Sequence, residues 1–351
     1  MYLLTEKNIN YFHQFILWFK NRWSTSPLFS IFIAFIVMVI LQTIVLGFDY
    51  PSFGEWFTSW TNNWINILRN NASVAIVALG MTFVIMTGGI DLAVGATLVA
   101  TGALTMTLLD IGANGFFNAI GITGWTAIFI TIIVVILFGY LLGSLIGVTV
   151  TRGMVPPFIA TLGAMMVFRS VTQHFMQGAA PRVPPEFLQI ANFKIGNYMI
   201  MPIIYWILIA AVMYYISKRT IFGRQIIAVG SNERAARLSG INVKQVKYRV
   251  YALSGILVAI AAIIQVSRIG SMDFAGSGRG MEMDAIAAAV VGGTSMMGGR
   301  GFILGTVYGM LIIAVLNNLL NLFGVPPLLR DAFKGMIVIA AVLLQRKEKT
   351  A

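Results

Sequence analysis

Residues 125–148 read WTAIFITIIVVILFGYLLGSLIGV, 24 consecutive positions without a charged side chain. About 20 such residues wound into a helix cross the roughly 30 Å of hydrocarbon in a bilayer. Two more runs, SIFIAFIVMVILQTIVLG at 30–47 and MIMPIIYWILIAAVMYYI at 199–216, approach that length. None alternates apolar with polar residues as the strands of a membrane barrel do. The three runs predict an all-α integral membrane protein.

Composition agrees. The chain has 351 residues, 58% hydrophobic and 10% charged, whereas a soluble domain is about a quarter charged. With no cysteine, disulfides, thiol catalysis and thiolate metal sites are excluded. His13 and His174 are the only histidines and lie far apart in sequence, so no metal site is expected. The net charge of +12 reports membrane topology before it reports nucleic acid. A polar, aromatic lead of about 29 residues precedes the first apolar run and no small-residue cleavage site follows it, so no signal peptide is expected.

Further spans are predicted near 65–87, 92–109, 155–176, 250–267, 284–297, 300–322 and 332–345, making about ten, with 284–297 short for a crossing. With a cytoplasmic N-terminus, the inner segments collect 16 of the 24 basic residues, eight of them between Lys218 and Arg249. The outer loops 48–64 and 110–124 hold none, only Asp49, Glu55 and Asp110. Both ends are therefore expected in the cytoplasm. The predicted organisation is a cytoplasmic lead at 1–29, a transmembrane domain at 30–345 and a tail at 346–351, with no soluble domain. Its largest cytoplasmic segment, 217–249, is too short to bury a core of its own. That segment contains a helix signature. Ser231 or Asn232 serves as N-cap, Glu233 sits in the first turn, Arg234 and Arg237 follow, and Gly240 is the left-handed stop. Ala235, Ala236 and Leu238 make a small apolar patch among these charges, as a docking surface would.

No phosphate-binding loop GxxxxGK[ST] exists in the chain. VGGTSMMGGRG (291–301) lacks the Lys-Ser/Thr pair and lies between apolar runs, which suits a helix break or close packing. Asp91 is the only charge between Val74 and Leu109. A lone carboxylate at the centre of a membrane helix costs about 2.5–3.5 kcal/mol, so it is expected at the cytoplasmic start of 92–109, capping the helix. Asp284 repeats the arrangement 193 residues later, on the opposite side of the predicted map. The two motifs suggest an inverted-topology repeat.

Four motifs in order, TGGIDLAVG (87–95), VPPFIATLG (155–163), FGRQIIAVGSNERAARLSGI (222–241) and EMDAIAAAVVGGTSMMGGRG (282–301), resemble the permease subunits of ribose-type sugar ABC importers. The resemblance implies a homodimer or pseudodimer of permeases in the bacterial inner membrane, with about ten spans each. It also implies a separate ABC ATPase subunit that binds ATP–Mg and a periplasmic sugar-binding protein. This chain is then no enzyme and binds no cofactor. By motif, Gly230, Ser231, Asn232, Glu233, Arg234, Ala235, Ala236, Arg237, Leu238, Ser239 and Gly240 would form the coupling helix that enters a groove on the ATPase. One departure is TRG at 151–153, where relatives often carry an Asn-Gly pair; it bears on the ligand carried more than on the fold.

A sugar path calls for hydroxyl and amide partners beside an apolar or aromatic wall. Asn70, Asn71, Thr87, Phe158, Thr161, Asn317, Asn318 and Asn321 are candidates, with Asp91 and Asp284 at the helix starts. For the asparagines, interhelical hydrogen bonding is the competing role. Arg169 and His174 are expected near the outer end of 155–176, and Trp56, Trp60 and Trp64 in an aromatic belt. The alternative function is an ion-coupled secondary transporter of a small polar solute, which would need ionisable residues buried at the midplane.

Overall fold

The apolar runs become helices, and glycine or proline ends most of them. The computed structural model describes residues 27–112, 115–326, 329–336 and 339. In chain order the helices are α1 (Pro27–Leu46), α2 (Phe53–Met86), α3 (Val94–Leu108), α4 (Phe116–Ala119), α5 (Gly124–Thr151), α6 (Pro157–Phe175) and α7 (Pro185–Asn192). They continue with α8 (Met201–Arg219), α9 (Ile221–Ser231), α10 (Glu233–Leu238), α11 (Val243–Ile269), α12 (Met281–Val291) and α13 (Ile303–Leu322). Among the described residues the only strand-like pairing is a bridge between Ile195 and Tyr198. Among the described residues six helices, α1, α2, α5, α8, α11 and α13, are long and apolar enough to cross a membrane.

Two of these, α2 and α11, form the centre of the bundle, while α1 and α8 remain largely uncovered. Lipid tails solvate leucine as well as a neighbouring helix does, so close association depends on backbone approach. The pair α5 and α11 shows this. A Cβ at Gly255 would overlap the Gly139 carbonyl, and one at Gly143 would overlap the Tyr251 carbonyl. The surface facing lipid keeps large apolar residues such as Ile40, Leu137 and Val212 exposed.

Several expected boundaries move. Helix α2 begins at Phe53, twelve residues before the predicted span, where the Ser52 side chain accepts the Glu55 N–H at 3.3 Å. Trp56 and Trp60 donate their indole N–H groups to the Gly47 carbonyl and to Thr43 Oγ1, which ties the start of α2 to the end of α1. Helix α3 has 15 residues, about 22 Å, because the turn before it already lies inside the bundle. The predicted span 284–297 is replaced by α12, 11 residues or about 16 Å long, followed by a hairpin at 292–302. The preceding loop, 270–280, folds inward until Gly278 meets the backbone of Gly95, so α12 starts partway down the bundle. Most of the predicted span 332–345 lies outside the described residues, as do the tail and residues 1–26 of the lead.

Candidate functional site

The polar segment between α8 and α11 is helical almost throughout. Helix α9, absent from the sequence reading, is amphipathic and buries Gly223, Ile226 and Val229 against the bundle. Asn232 ends it in an extended conformation and caps α10, its Oδ1 accepting the Ala235 N–H at 3.0 Å. Glu233 receives Arg237 at 3.3 Å and Lys247 of α11 at 2.7 Å, which straps α10 to the bundle. The Lys247 bond and the two cations hold the Glu233 carboxyl below its ordinary value. Gly240 closes the unit with φ +80°, as its stop signal predicts.

One expectation about α10 needs correction. Ala235, Ala236 and Leu238 do not share a face: successive helical residues turn by about 100°. Ala236 is 4% exposed and joins the core, whereas Leu238 is 90% exposed and Ala235 also faces outward. The outward surface therefore consists of Ala235 and Leu238 among Glu233, Arg234 and Arg237.

Beneath α10, three segments meet through their backbones. The Gly299 N–H donates to the Met86 carbonyl at 2.9 Å. A Cβ at Gly230 would overlap that carbonyl and lie 2.5 Å from the Gly299 nitrogen. The turn after α2, the end of α9 and the hairpin after α12 thus touch at Met86, Gly230 and Gly299. Sequence reasoning noted these glycines but had no means of pairing them.

Asp91 follows directly. Its Oδ1 accepts the Ala93 N–H at 3.0 Å and its Oδ2 accepts the Ser254 hydroxyl of α11 at 3.3 Å. Its role differs from the expected helix cap, since Ala93 is the cap of α3 and makes no side-chain bond. The carboxylate instead closes a two-residue Asx turn and crosses to α11. Ser254 lies five residues, about 8 Å, past Arg249, so Asp91 sits inside the apolar layer rather than at its edge. The Tyr251 hydroxyl, buried without a partner, lies against Gly89 of the same turn. Asp284, in the first turn of α12, pairs with Lys334 at 3.0 Å. Both acids are thus matched to local partners.

The remaining path candidates divide. Asn70 accepts Arg268 at 2.7 Å, Asn318 donates to Asn63 at 3.3 Å, and Asn321 accepts Arg330 at 2.9 Å. Asn71 bonds back to Ile67 within α2. Thr87 and Thr161 are buried, the first bonded to the Val84 carbonyl and the second to the carbonyls of Ile90, Pro157 and Phe158. Phe158 is exposed on α6, and Asn317 has a buried carbonyl oxygen without a partner. Three of the five asparagines thus join separate segments. His174 is exposed at the end of α6. Arg169 donates to the Ala275 and Ser277 carbonyls, both at 3.2 Å, and so holds the inward loop 270–280. No group of titratable residues suited to a metal ion occurs among the described residues.

A family model described as the branched-chain amino acid transport system permease component matches residues 63–342. The chain belongs to this permease family. The match covers α3 to α13 and most of α2. The permease is 40% identical to the ribose import permease protein RbsC of Haemophilus influenzae over 316 residues, 88% of this chain and 91% of that protein. It is 39% identical to RbsC of Escherichia coli over 90% of this chain and 93% of the relative. The xylose transport system permease protein XylH of Escherichia coli is 31% identical over 90% and 92% of the two chains. No solved structure matches the permease significantly.

Proposed function

We propose that this chain is the permease subunit of an ABC importer that carries a monosaccharide, with a pentose such as ribose as the first candidate. The observation that carries the coupling part of this proposal is α10. It is a capped helix strapped to α11, with Leu238 almost fully exposed and Ala236 anchored in the core. A rigid helix presenting a small apolar surface amid charges suits insertion into a groove on an ATPase subunit that binds ATP–Mg. Names of the ribose and xylose relatives support the ligand class. A periplasmic binding protein would deliver the sugar, and a second copy of this chain or a paralogue would complete the path.

The proposed setting is the bacterial inner membrane, with both termini cytoplasmic and about ten spans arranged as an inverted repeat. The six long apolar helices among the described residues support a multi-pass membrane setting, and the charge distribution supports the orientation. The test is copurification of the tagged chain with the ATPase encoded beside it, together with labelled ribose and xylose uptake. Ala235→Trp should weaken ATPase association at normal permease levels, and Arg234→Gln should act less, with an effect that fades in salt. Association and uptake unchanged in Ala235→Trp would remove α10 as the coupling element.

A further inference from the structure

Two arginines at the end of the bundle opposite α10 lack a counter-ion. Arg69 of α2 and Arg268 of α11 are neighbours: Arg268 bonds Asn70, the residue after Arg69, and both arginines contact Asn192. Neither takes part in any ion pair among the described residues. Arg69 donates one N–H to Asn192 Oδ1, and its Nε is buried without a partner. Arg268 donates to Asn70 Oδ1 at 2.7 Å. The Asn192 amide in turn donates to the Ser267 and Arg268 carbonyls at 3.0 and 3.3 Å, which fixes the group to the end of α11. That helix end contributes about half a negative charge, too little to balance two guanidinium groups. Each guanidinium carries five N–H donors in a fork, so most remain for a further partner. Two partly desolvated like charges side by side are unfavourable unless an anion joins them.

We propose that the Arg69–Arg268 pair binds the phosphate of a membrane phospholipid. Depth favours a lipid over a soluble protein. The uncharged stretch of α11 between Arg249 and Arg268 is 18 residues, about 27 Å, close to the hydrocarbon thickness of a bilayer. Arg268 therefore lies at headgroup level. Arg69 is 16 residues, about 24 Å of helix, below the start of α2 at Phe53, so the first turns of α2 stand above it. Phe193, Ile195 and Ile269, neighbours in sequence of Asn192 and Arg268, are exposed and apolar, as the start of an acyl-chain contact requires. Planar forks suit phosphate oxygens, and cationic sites between membrane helices recognise lipid headgroups on this basis.

The experiment is native mass spectrometry of the full permease in mild detergent, supplied with phosphatidylglycerol, phosphatidylethanolamine or a diacylglycerol with the same chains. The wild-type chain should retain one phospholipid per subunit and release the diacylglycerol, and R69Q/R268Q should retain about tenfold less phospholipid. R268K, which keeps the charge without the fork, should fall between them, and it provides the comparison if the double variant does not fold. A wild-type melting temperature raised by phosphatidylglycerol and not by diacylglycerol would give independent support. Equal phospholipid retention in the variants, or a diacylglycerol held as firmly, would overturn the proposal. Displacement of the lipid by millimolar inorganic phosphate would overturn it in favour of a free anion. Unchanged lipid with lost capture of the soluble binding protein would overturn it in favour of a docking site.

Discussion

Gly230 of α9 lies directly against the carbonyl of Met86 at the end of α2, with no room for a side chain between them. The same carbonyl accepts the Gly299 N–H, so the end of α9 rests on two turns that enter the bundle. On the proposed docking of an ATPase at α10, a displacement there would reach both turns through backbone rather than through flexible side chains. Gly230→Ala should force these segments apart, at a cost of about 1–3 kcal/mol. A lowered melting temperature and reduced uptake are expected; wild-type values for both would show that the junction yields freely.

Asp91 joins its own turn to α11 by two hydrogen bonds. Asn at this position retains an acceptor for the Ala93 N–H and a donor for the Ser254 oxygen, so Asp91→Asn should fold and keep most uptake. Asp91→Leu strands both partners and should lose about 1–3 kcal/mol of stability. Abolished uptake in Asp91→Asn at unchanged melting temperature would assign the function to the charge itself.

The Asp284–Lys334 pair has side-chain exposures of 15% and 18%. Lys334→Ala should leave a largely buried carboxylate unpaired and cost about 1–3 kcal/mol, less than a fully buried pair because some water reaches it. Adding Asp284→Asn should restore much of that loss. A double variant no more stable than Lys334→Ala in thermal melts would show that the pair contributes little.

Glu233 has a carboxyl held below its ordinary value near 4.5, first by its bond to Lys247. Its contribution is therefore complete above the ordinary glutamate range and lost as pH falls through the lowered value. Because Glu233 is 44% exposed, the contribution should not exceed about 0.5 kcal/mol. The difference in stability between wild type and Glu233→Gln should vanish at acid pH; a difference that grows there would contradict the strap.

Single cysteines placed at Ser24, Ser59 and Thr350 test the orientation in a chain with no cysteine of its own. An impermeant thiol reagent applied to intact cells should modify the Ser59 position alone. Modification at Ser24 or Thr350 would reverse the charge-based map.

How far the sequence reached depended on the range of the physics involved. Long apolar runs, the Asn232 cap and the Gly240 stop act over a few neighbouring residues, so the sequence by itself determined six of the predicted membrane helices, α10 and the absence of a phosphate-binding loop. The family resemblance rested on equally local motifs. Tertiary structure decided what depends on contacts between distant segments. Loop 270–280 descends to Gly95 and leaves α12 at half length. The face of α10 divides because the bundle takes Ala236 and leaves Leu238. Asp91 finds Ser254 163 positions away. The same reason explains Arg69 and Arg268, ordinary basic residues in the sequence, which only the packing of α2, α7 and α11 brings together without an acid to neutralise them.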